Sequence, residues 1–345
     1  MNSVIVTIPN WNGENELPGA IESILSQTYT NFSLLIVDNG STDRSKEIIE
    51  LYKLKDKRIR SLYRTKNYGY TGGVNPGMEL AIREHAAYAA TINNDAVAKK
   101  DWLKNLVAFL DANPSHGIAT GMIVGASGET IDSTGEEYSS WGLPFPRDRD
   151  EPVSTCSRPT GEIFGASGGA SMYRTAMLQK IGLFDQDFFA YYEDIDLSFR
   201  AQLSGWKVAF VADAVVVHER GNTSARLAKR KAGDHSTTPF LTKQFMKNVP
   251  FVLIKNVPAR LFWLIMPRLI FAWVLLFGQA LISGRGLGAI QGALLFWARL
   301  PKKIGERWRI QKSRRVSTEY IWDMFVQDLP TSAGKLRKIR AFWRR

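Results

Sequence analysis

Residues 32–54 read FSLLIVDNGSTDRSKEIIELYKL. Phe32 to Val37 is an apolar run short enough for a buried strand, and it stops at Asp38-Asn39-Gly40-Ser41-Thr42-Asp43. Such a cluster of small polar residues favours a turn. Ser45 to Leu54 then has helical spacing. Strand, polar turn and helix make one βα unit, and the pattern recurs on both sides. Val4 to Ile8 is a first apolar strand, ended by Pro9-Asn10-Trp11-Asn12-Gly13. It is followed by a helix over Leu17 to Ser26 with Ile21, Ile24 and Leu25 on one face. Ile59 to Tyr63 predicts a third strand, then a glycine-rich loop and a helix near Met78 to His85. Tyr88 to Ile92 predicts a fourth strand, which runs into Asn93-Asn94-Asp95. Alternating short strands and helices predict an α/β fold with a mostly parallel sheet flanked by helices. Ligands of such sheets bind beyond the carboxyl ends of the strands. Here the polar residues gather at those ends.

Gly125 to Pro159 is rich in Gly, Ser, Pro and charge and predicts an irregular connection with short strands. Regular patterning returns with Gly165 to Arg174, a helix near Ala176 to Ile181, a helix over Leu197 to Gly205, and a strand over Val208 to Val217 that ends at His218. From about Phe245 the composition changes. Leu261 to Ile282 is long and apolar enough for a membrane span, yet holds Pro267 and Arg268, which argue against a simple single span. Arg299, Lys302, Lys303, Arg307, Arg309, Lys312, Arg314 and Arg315 follow with few acids among them, and Leu300, Ile304 and Trp308 recur every fourth residue. The tail from Lys335 to Arg345 repeats the theme. A basic amphipathic helix of this kind suits an anionic membrane surface. The expected division is a catalytic domain over 1–244 and a membrane-associating helical region over 245–345. A buried helical subdomain or a homo-oligomer interface is the alternative for the second part.

The 345 residues carry a formal net charge of +12, so an acidic partner is expected. A nucleic-acid binder would share that sign, but the basic residues cluster beside apolar helices, which favours lipid over nucleic acid. Cys156 is the single cysteine, so no intrachain disulfide forms. The chain opens directly on a strand pattern with no basic, apolar leader, and a cytoplasmic catalytic part is expected.

Each polar cluster has a plain reading beside a functional one. Asp38 suits a nucleoside's ring N–H or ribose hydroxyls, or it belongs to a turn capped by Ser41 or Thr42. The glycines of Asn67-Tyr68-Gly69-Tyr70-Thr71-Gly72-Gly73-Val74-Asn75-Pro76-Gly77 allow close approach of a phosphate, or form an ordinary loop. Asp95 offers a hard oxygen for Mg²⁺ or Mn²⁺, or ends a strand in an Asx turn. Glu193, Asp194 and Asp196 could include a general base, or are acids favoured by a helix N-terminus. His218 is a borderline ligand for Mn²⁺ beside Asp95, or a surface histidine.

Taken in order, these clusters resemble the GT-A fold, family 2 inverting glycosyltransferases, and the rhamnosyltransferase-like enzymes of bacterial surface polysaccharide assembly in particular. The resemblance covers about residues 1–225. It rests on Ile8–Gly13, Val37–Asp43, the spaced Asn67–Gly77 set, Asn93-Asn94-Asp95 in the place of a DxD motif, Gly168-Gly169-Ala170, Glu193-Asp194-Ile195-Asp196, and His218 with Gly221. It implies that Asp38 contacts the nucleotide base, with Pro9 and Asn12 lining that pocket. It sets Asn67, Asn75 and Asn94 near the nucleotide and diphosphate of a dTDP- or UDP-linked sugar. It makes Asp95 and His218 the ligands of a Mg²⁺ or Mn²⁺ ion, and Asp194 the general base. It places Gly168, Gly169 and Glu193 beside a lipid-linked glycan acceptor. Asn93 stands where the family's first acid would be, so Asp95 is the motif's one anionic ligand. The implied place of action is the cytoplasmic face of the bacterial inner membrane. A catalytically inactive, membrane-bound sugar-nucleotide-binding scaffold is the alternative.

Overall fold

The computed structural model describes residues 2–218 and 238–328; Gly221 and the tail from Lys335 to Arg345 lie outside them. The opening βα units form as expected: β1 (Val4–Asn10), α1 (Leu17–Leu25), β2 (Phe32–Asp38), α2 (Ser45–Lys55), β3 (Ile59–Tyr63), α3 (Gly69–Arg83) and β4 (Tyr88–Ile92). Strands β3, β2, β1 and β4 are parallel neighbours in that order. The chain therefore leaves β1 towards β2 and later returns to its other side as β4. Where strand order reverses, the carboxyl ends of the two central strands splay open. Asn10, Asp38 and Asn93 stand at this point.

Between the fourth strand and the irregular connection the chain forms β5 (Ala96–Ala98), α4 (Trp102–Ala112) and β6 (His116–Gly125), three elements beyond those expected. Helix α4 follows a simple rule, burying Trp102, Leu103, Leu106, Val107 and Leu110 as one stripe. The connection that follows holds β7 (Ile131–Ser133), β8 (Glu136–Tyr138), β9 (Pro144–Pro146) and β10 (Gly161–Ile163). Then come β11 (Ala170–Arg174), α5 (Thr175–Ile181), α6 (Glu193–Leu203) and β12 (Lys207–His218). Strand β11 lies antiparallel between β4 and β6, and β12 runs parallel to β6, which completes a ten-stranded mixed sheet. One apolar cluster lies under α1 and α4, and another on the opposite face under α3, α5 and α6.

Two local expectations change. The glycine-rich segment is neither a loop nor a phosphate cradle in form, because Gly72, Gly73 and Gly77 lie inside α3. A Cβ at Gly77 would come within 1.7 Å of Thr7 Oγ1, and one at Gly73 within 2.7 Å of Pro9 Cβ. The missing side chains let α3 lie against β1. Secondly, α2 is not capped by Ser41 or Thr42; it starts at Ser45 with no side-chain cap. Ser41 instead serves Asp38.

The expected boundary at 244/245 falls inside one helix, α7 (Pro239–Asn256). This helix, α8 (Ala259–Ile282), α9 (Gly286–Lys312) and α10 (Thr318–Asp323) enclose a third apolar cluster that takes in Phe188, Ile195 and Phe199 of the catalytic half. Pro267 does not break α8, which continues through it.

The basic run in α9 also differs from expectation. Lys303 is fully buried, with its Nζ 2.5 Å from Asp185 Oδ2, 2.8 Å from Asp187 Oδ2 and 3.0 Å from Glu306 Oε2. Arg299 and Lys302 each reach Asp187 at 2.6 Å, and Arg307 donates to the carbonyls of Ile254 and Val257. Three of the eight basic residues expected to face lipid, Arg299, Lys302 and Lys303, thus hold the two halves together. Burial works against the Lys303 charge, but Asp185, Asp187 and Glu306 outweigh it and raise its pKa. Removing one partner of a buried ion cluster leaves charge uncompensated. Lys303→Ala should cost about 3–5 kcal/mol in urea denaturation; an unchanged midpoint would contradict this account.

Candidate active site

The donor end begins at the carboxyl ends of β1 and β2. Asp38 is 4% exposed, and its Oδ1 accepts from Asn10 Nδ2 at 3.1 Å and from Ser41 Oγ at 2.5 Å. Asn12 sits in the left-handed region at φ 52°, and its Oδ1 accepts from the Thr42 N–H at 2.8 Å. These bonds fix Pro9–Asn12 and Asp38–Thr42 as one wall. Asn94 joins it from β4, because its Nδ2 donates to Asn10 Oδ1 at 2.9 Å. Asn67 shapes the neighbouring turn and accepts from the Gly69 N–H at 2.7 Å. Asn75 has a different use from the one expected. It is 3% exposed, and its amide exchanges hydrogen bonds with the Phe184 backbone at 2.8 and 3.2 Å. It fastens α3 to the segment before Asp185.

The second part is built by strand pairing. His218 ends β12 opposite Ala96 of β5, and so stands beside Asp95. His218 Nε2 lies 3.0 Å from Asp95 Oδ1, and Nδ1 lies 2.6 Å from Asp132 Oδ2. Arg149 Nη2 donates to the other Asp132 oxygen at 3.2 Å. The sequence reading missed Asp132 and Arg149, since both lie in the irregular connection and no local spacing ties them to His218.

These residues fit a divalent cation. A carboxylate only accepts, so the ring hydrogen at Nδ1 points to Asp132. Nε2 then faces Asp95 Oδ1 at 3.0 Å, a contact satisfied either by a second ring hydrogen or by a cation held between the two atoms. Neighbouring ligands of a six-coordinate ion at ~2.0–2.1 Å lie roughly 3 Å apart, matching the 3.0 Å seen. Asn93 Oδ1 is buried beside them and has no hydrogen-bond partner.

The acceptor end centres on Asp194, in the first turn of α6. Asp194 Oδ2 accepts from the Gly168 N–H at 2.8 Å, and Oδ1 from the Ile195 N–H at 2.8 Å. The Gly169 carbonyl accepts from the Asn93 N–H at 2.9 Å. Gly168 and Gly169 therefore touch both the base candidate and the metal strand. Tyr70, another residue not foreseen, donates its hydroxyl to the Gly168 carbonyl. Burial pushes the Asp194 carboxyl above the ordinary range, against the two N–H bonds that favour its charge. Glu193 is 5% exposed and also raised, by burial first and by the Asp194 charge second.

The loop that presents these acids is strained. Phe189, Tyr191 and Tyr192 have φ of 66°, 69° and 71°. Each such non-glycine residue costs of order 1–3 kcal/mol. Helix α7 supplies the restraint: Asn248 Nδ2 lies 3.0, 2.9 and 2.8 Å from the carbonyls of Phe188, Ala190 and Tyr191. Lys247 Nζ donates to the Asp187 and Phe188 carbonyls, and burial lowers its pKa to about 8.

The glycosyl transferase family 2 profile matches residues 5–182, just over half of the chain. This chain belongs to glycosyl transferase family 2. The family places it among transferase enzymes and accounts for the GT-A arrangement of the sheet. An uncharacterized glycosyltransferase of Rickettsia felis is 39% identical over 110 residues, which cover 32% of this chain and 17% of that protein. Glycosyltransferase GlyG of Streptococcus pneumoniae is 32% identical over 30% of this chain and 33% of its own length. The putative teichuronic acid biosynthesis glycosyltransferase TuaG of Bacillus subtilis is 30% identical over 31% of this chain and 41% of its own. The matched segment thus spans less than half of each of these curated relatives. Among solved structures, S. aureus TarS 1–349 has a TM-score of 0.53 at 17% identity, covering 91% of each chain. GalNAc-T7 with UDP, GalNAc and Mn²⁺ has a TM-score of 0.63 at 14% identity, covering 94% of this chain and 56% of that one. These identities carry the fold.

GT-A enzymes commonly use a divalent metal. A second acidic group, Asp185, Asp187 and Glu306, also has suitable spacing for one. In this family 2 chain the Lys303 ammonium already lies among those carboxylates. The group is an ion-pair joint. Asn248→Ala should free two or more buried carbonyls, costing ~1–3 kcal/mol each. The expected readout is faster amide exchange at residues 188–193; unaltered exchange there would contradict the restraint assigned to Asn248.

Proposed function

We propose that the protein is an inverting glycosyltransferase that moves a sugar from a nucleoside diphosphate donor to an acceptor hydroxyl. The observation that carries this reading is the Gly168-Gly169 bridge, which sets Asp194 across from Asn93, Asp95 and His218. Asp38 and the Pro9–Asn12 wall would take the nucleotide, with Asn67 and Asn94 beside it. Asp95 and His218 would hold Mg²⁺ or Mn²⁺, which offsets charge on the departing diphosphate. Asp194 would take the proton from the acceptor hydroxyl as that oxygen attacks the anomeric carbon. Gly168, Gly169 and Glu193 would border the acceptor. Solved neighbours are complexes with UDP and UDP-GlcNAc. They support a pyrimidine nucleotide donor, UDP- or dTDP-linked, and the motif resemblance favours rhamnose as its sugar.

The acceptor in this reading is a lipid-linked or polysaccharide glycan of the bacterial surface, met at the cytoplasmic face of the inner membrane. Helix α8 is long and apolar enough to cross a membrane. However, Leu261, Ile265, Leu269 and Ala272 pack inward, and Arg268 Nη1 donates to the Ser140 carbonyl at 3.1 Å. A helix whose first half is packed against the rest of the protein suits lying on the membrane better than crossing it. Its other side exposes Trp263, Leu264, Ile270, Phe271 and Val274, and α9 exposes Leu294, Trp297 and Trp308. Exposed Arg309, Lys312 and Arg315 would meet anionic headgroups.

A screen of sugar nucleotides with Mn²⁺, Mg²⁺ and chelator tests the reaction; absence of transfer or hydrolysis from every donor would favour the scaffold alternative. Asp194→Asn should lower kcat by about 10²–10⁴-fold while donor binding persists, and normal turnover would remove Asp194 as the base. The base works only when deprotonated, and its pKa is raised. Wild-type kcat/KM should therefore fall with decreasing pH already above the ordinary carboxylate range. Asp95→Ala should instead weaken donor binding.

Flotation with vesicles tests the membrane surface. Trp297→Glu and Phe271→Glu should each weaken vesicle binding by roughly tenfold or more, since burying such a side chain contributes about 1.5–3 kcal/mol. Undiminished flotation of the double variant would contradict the assigned surface.

A further inference from the structure

The triad Asp132–His218–Asp95 has a member with no role in the reaction as written. Asp132 lies on β7, in the irregular connection, and is 5% exposed. Its Oδ2 meets His218 Nδ1 at 2.6 Å, the shortest of the polar contacts made by the ring. Its Oδ1 is held by Arg149 Nη2 at 3.2 Å, and its backbone carbonyl accepts from Arg149 Nε at 3.2 Å. The carboxylate is therefore fixed in orientation, with a positive charge behind it and the imidazole in front.

We propose that Asp132 is a positioning residue that fixes the His218 tautomer and ring plane, so that Nε2 presents a lone pair beside Asp95. Free imidazole distributes its single hydrogen between two nitrogens, and only the nitrogen without it can ligate. A carboxylate at Nδ1 settles that choice and increases the basicity of the other nitrogen. With Asn93 in place of an acid, the motif supplies one anionic ligand, Asp95. A well-oriented neutral nitrogen then contributes a larger share of cation binding than it would beside two acids. The connection over 125–159 thereby gains a use, carrying both Asp132 and Arg149 to the end of β12.

This inference rests on the reading of Asp95 and His218 as metal ligands, and its test separates the two. Mn²⁺ binding to the full-length protein, with UDP present, is followed by electron paramagnetic resonance for wild type, His218→Ala, Asp132→Asn and Asp132→Glu. Circular dichroism checks folding. The expected result is a loss of affinity of about 10–100-fold in Asp132→Asn, with partial recovery in Asp132→Glu. If His218→Ala loses affinity and Asp132→Asn does not, the positioning role is overturned while the metal reading stands. If His218→Ala binds Mn²⁺ as wild type does, both fall. A measurement on the unaltered, metal-free protein decides the matter even if the variants fail to fold. Nitrogen-15 spectra at a pH above the imidazole range should show His218 as the Nδ1–H tautomer. The Nε2–H tautomer would overturn the proposal.

Discussion

Asp196 is a carboxylate with no exposed surface, and the arrangement around it joins the molecule's two halves. Arg200 Nε lies 2.9 Å from one of its oxygens; Lys255 Nζ and Asn256 Nδ2 lie 2.8 and 2.9 Å from the other. Arg200 belongs to the same helix, whereas Lys255 and Asn256 end α7. Burial alone would raise the Asp196 pKa, but Lys255 and Arg200 outweigh it and hold the carboxyl below its ordinary range. An ion pair so deep adds little net stability compared with a well-packed apolar substitute. Its effect is orientational. It fixes α6 against α7, and so fixes Asp194, two residues earlier, relative to everything the C-terminal helices touch.

The same joint explains how the strained approach to α6 persists. Three residues with positive φ within four positions do not hold that form unaided; Asn248 restrains the Ala190 and Tyr191 carbonyls among them, and Lys247 holds the Asp187 and Phe188 carbonyls just before them. Asp185 and Asp187 at the entrance to the loop are gripped by Lys255, Lys303, Lys302 and Arg299. The C-terminal helices thus shape the loop before Asp194 as well as carrying the exposed apolar surface. A cut at 244/245 would sever α7 and remove these restraints together.

Much of the parallel core was legible because βα units announce themselves locally. Apolar runs of strand length end in turn residues, and the strand ends at Asp38 and Asp95 are readable from composition alone. Helix α4 is equally regular in pattern, with its apolar stripe at Trp102, Leu103, Leu106, Val107 and Leu110. The start of α3 is hidden because glycine reads as a loop former, whereas here it is demanded by the approach of a helix to β1. What could not be read were pairings across long separations. Asp132 meets His218 only through the register of β7, β6 and β12. Lys303 has one local acid, Glu306, until the fold delivers Asp185 and Asp187. Tyr70 and Asn248 act through backbone atoms, which leave no mark in a residue pattern.

The strained loop at 188–192 has a consequence for how this enzyme class can be altered. Glycine at Phe189, Tyr191 or Tyr192 would remove a backbone cost of order 1–3 kcal/mol, together with ring contacts to Phe240 or Phe245. The sign of the net effect follows from which of the two is larger at each position. Under the role proposed for Asp194, a change that did stabilise this segment by relaxing it would loosen the aim of that carboxylate, and turnover would decline as melting temperature rose. Three left-handed aromatic residues in one loop thus tie local backbone strain to the direction of the helix that follows.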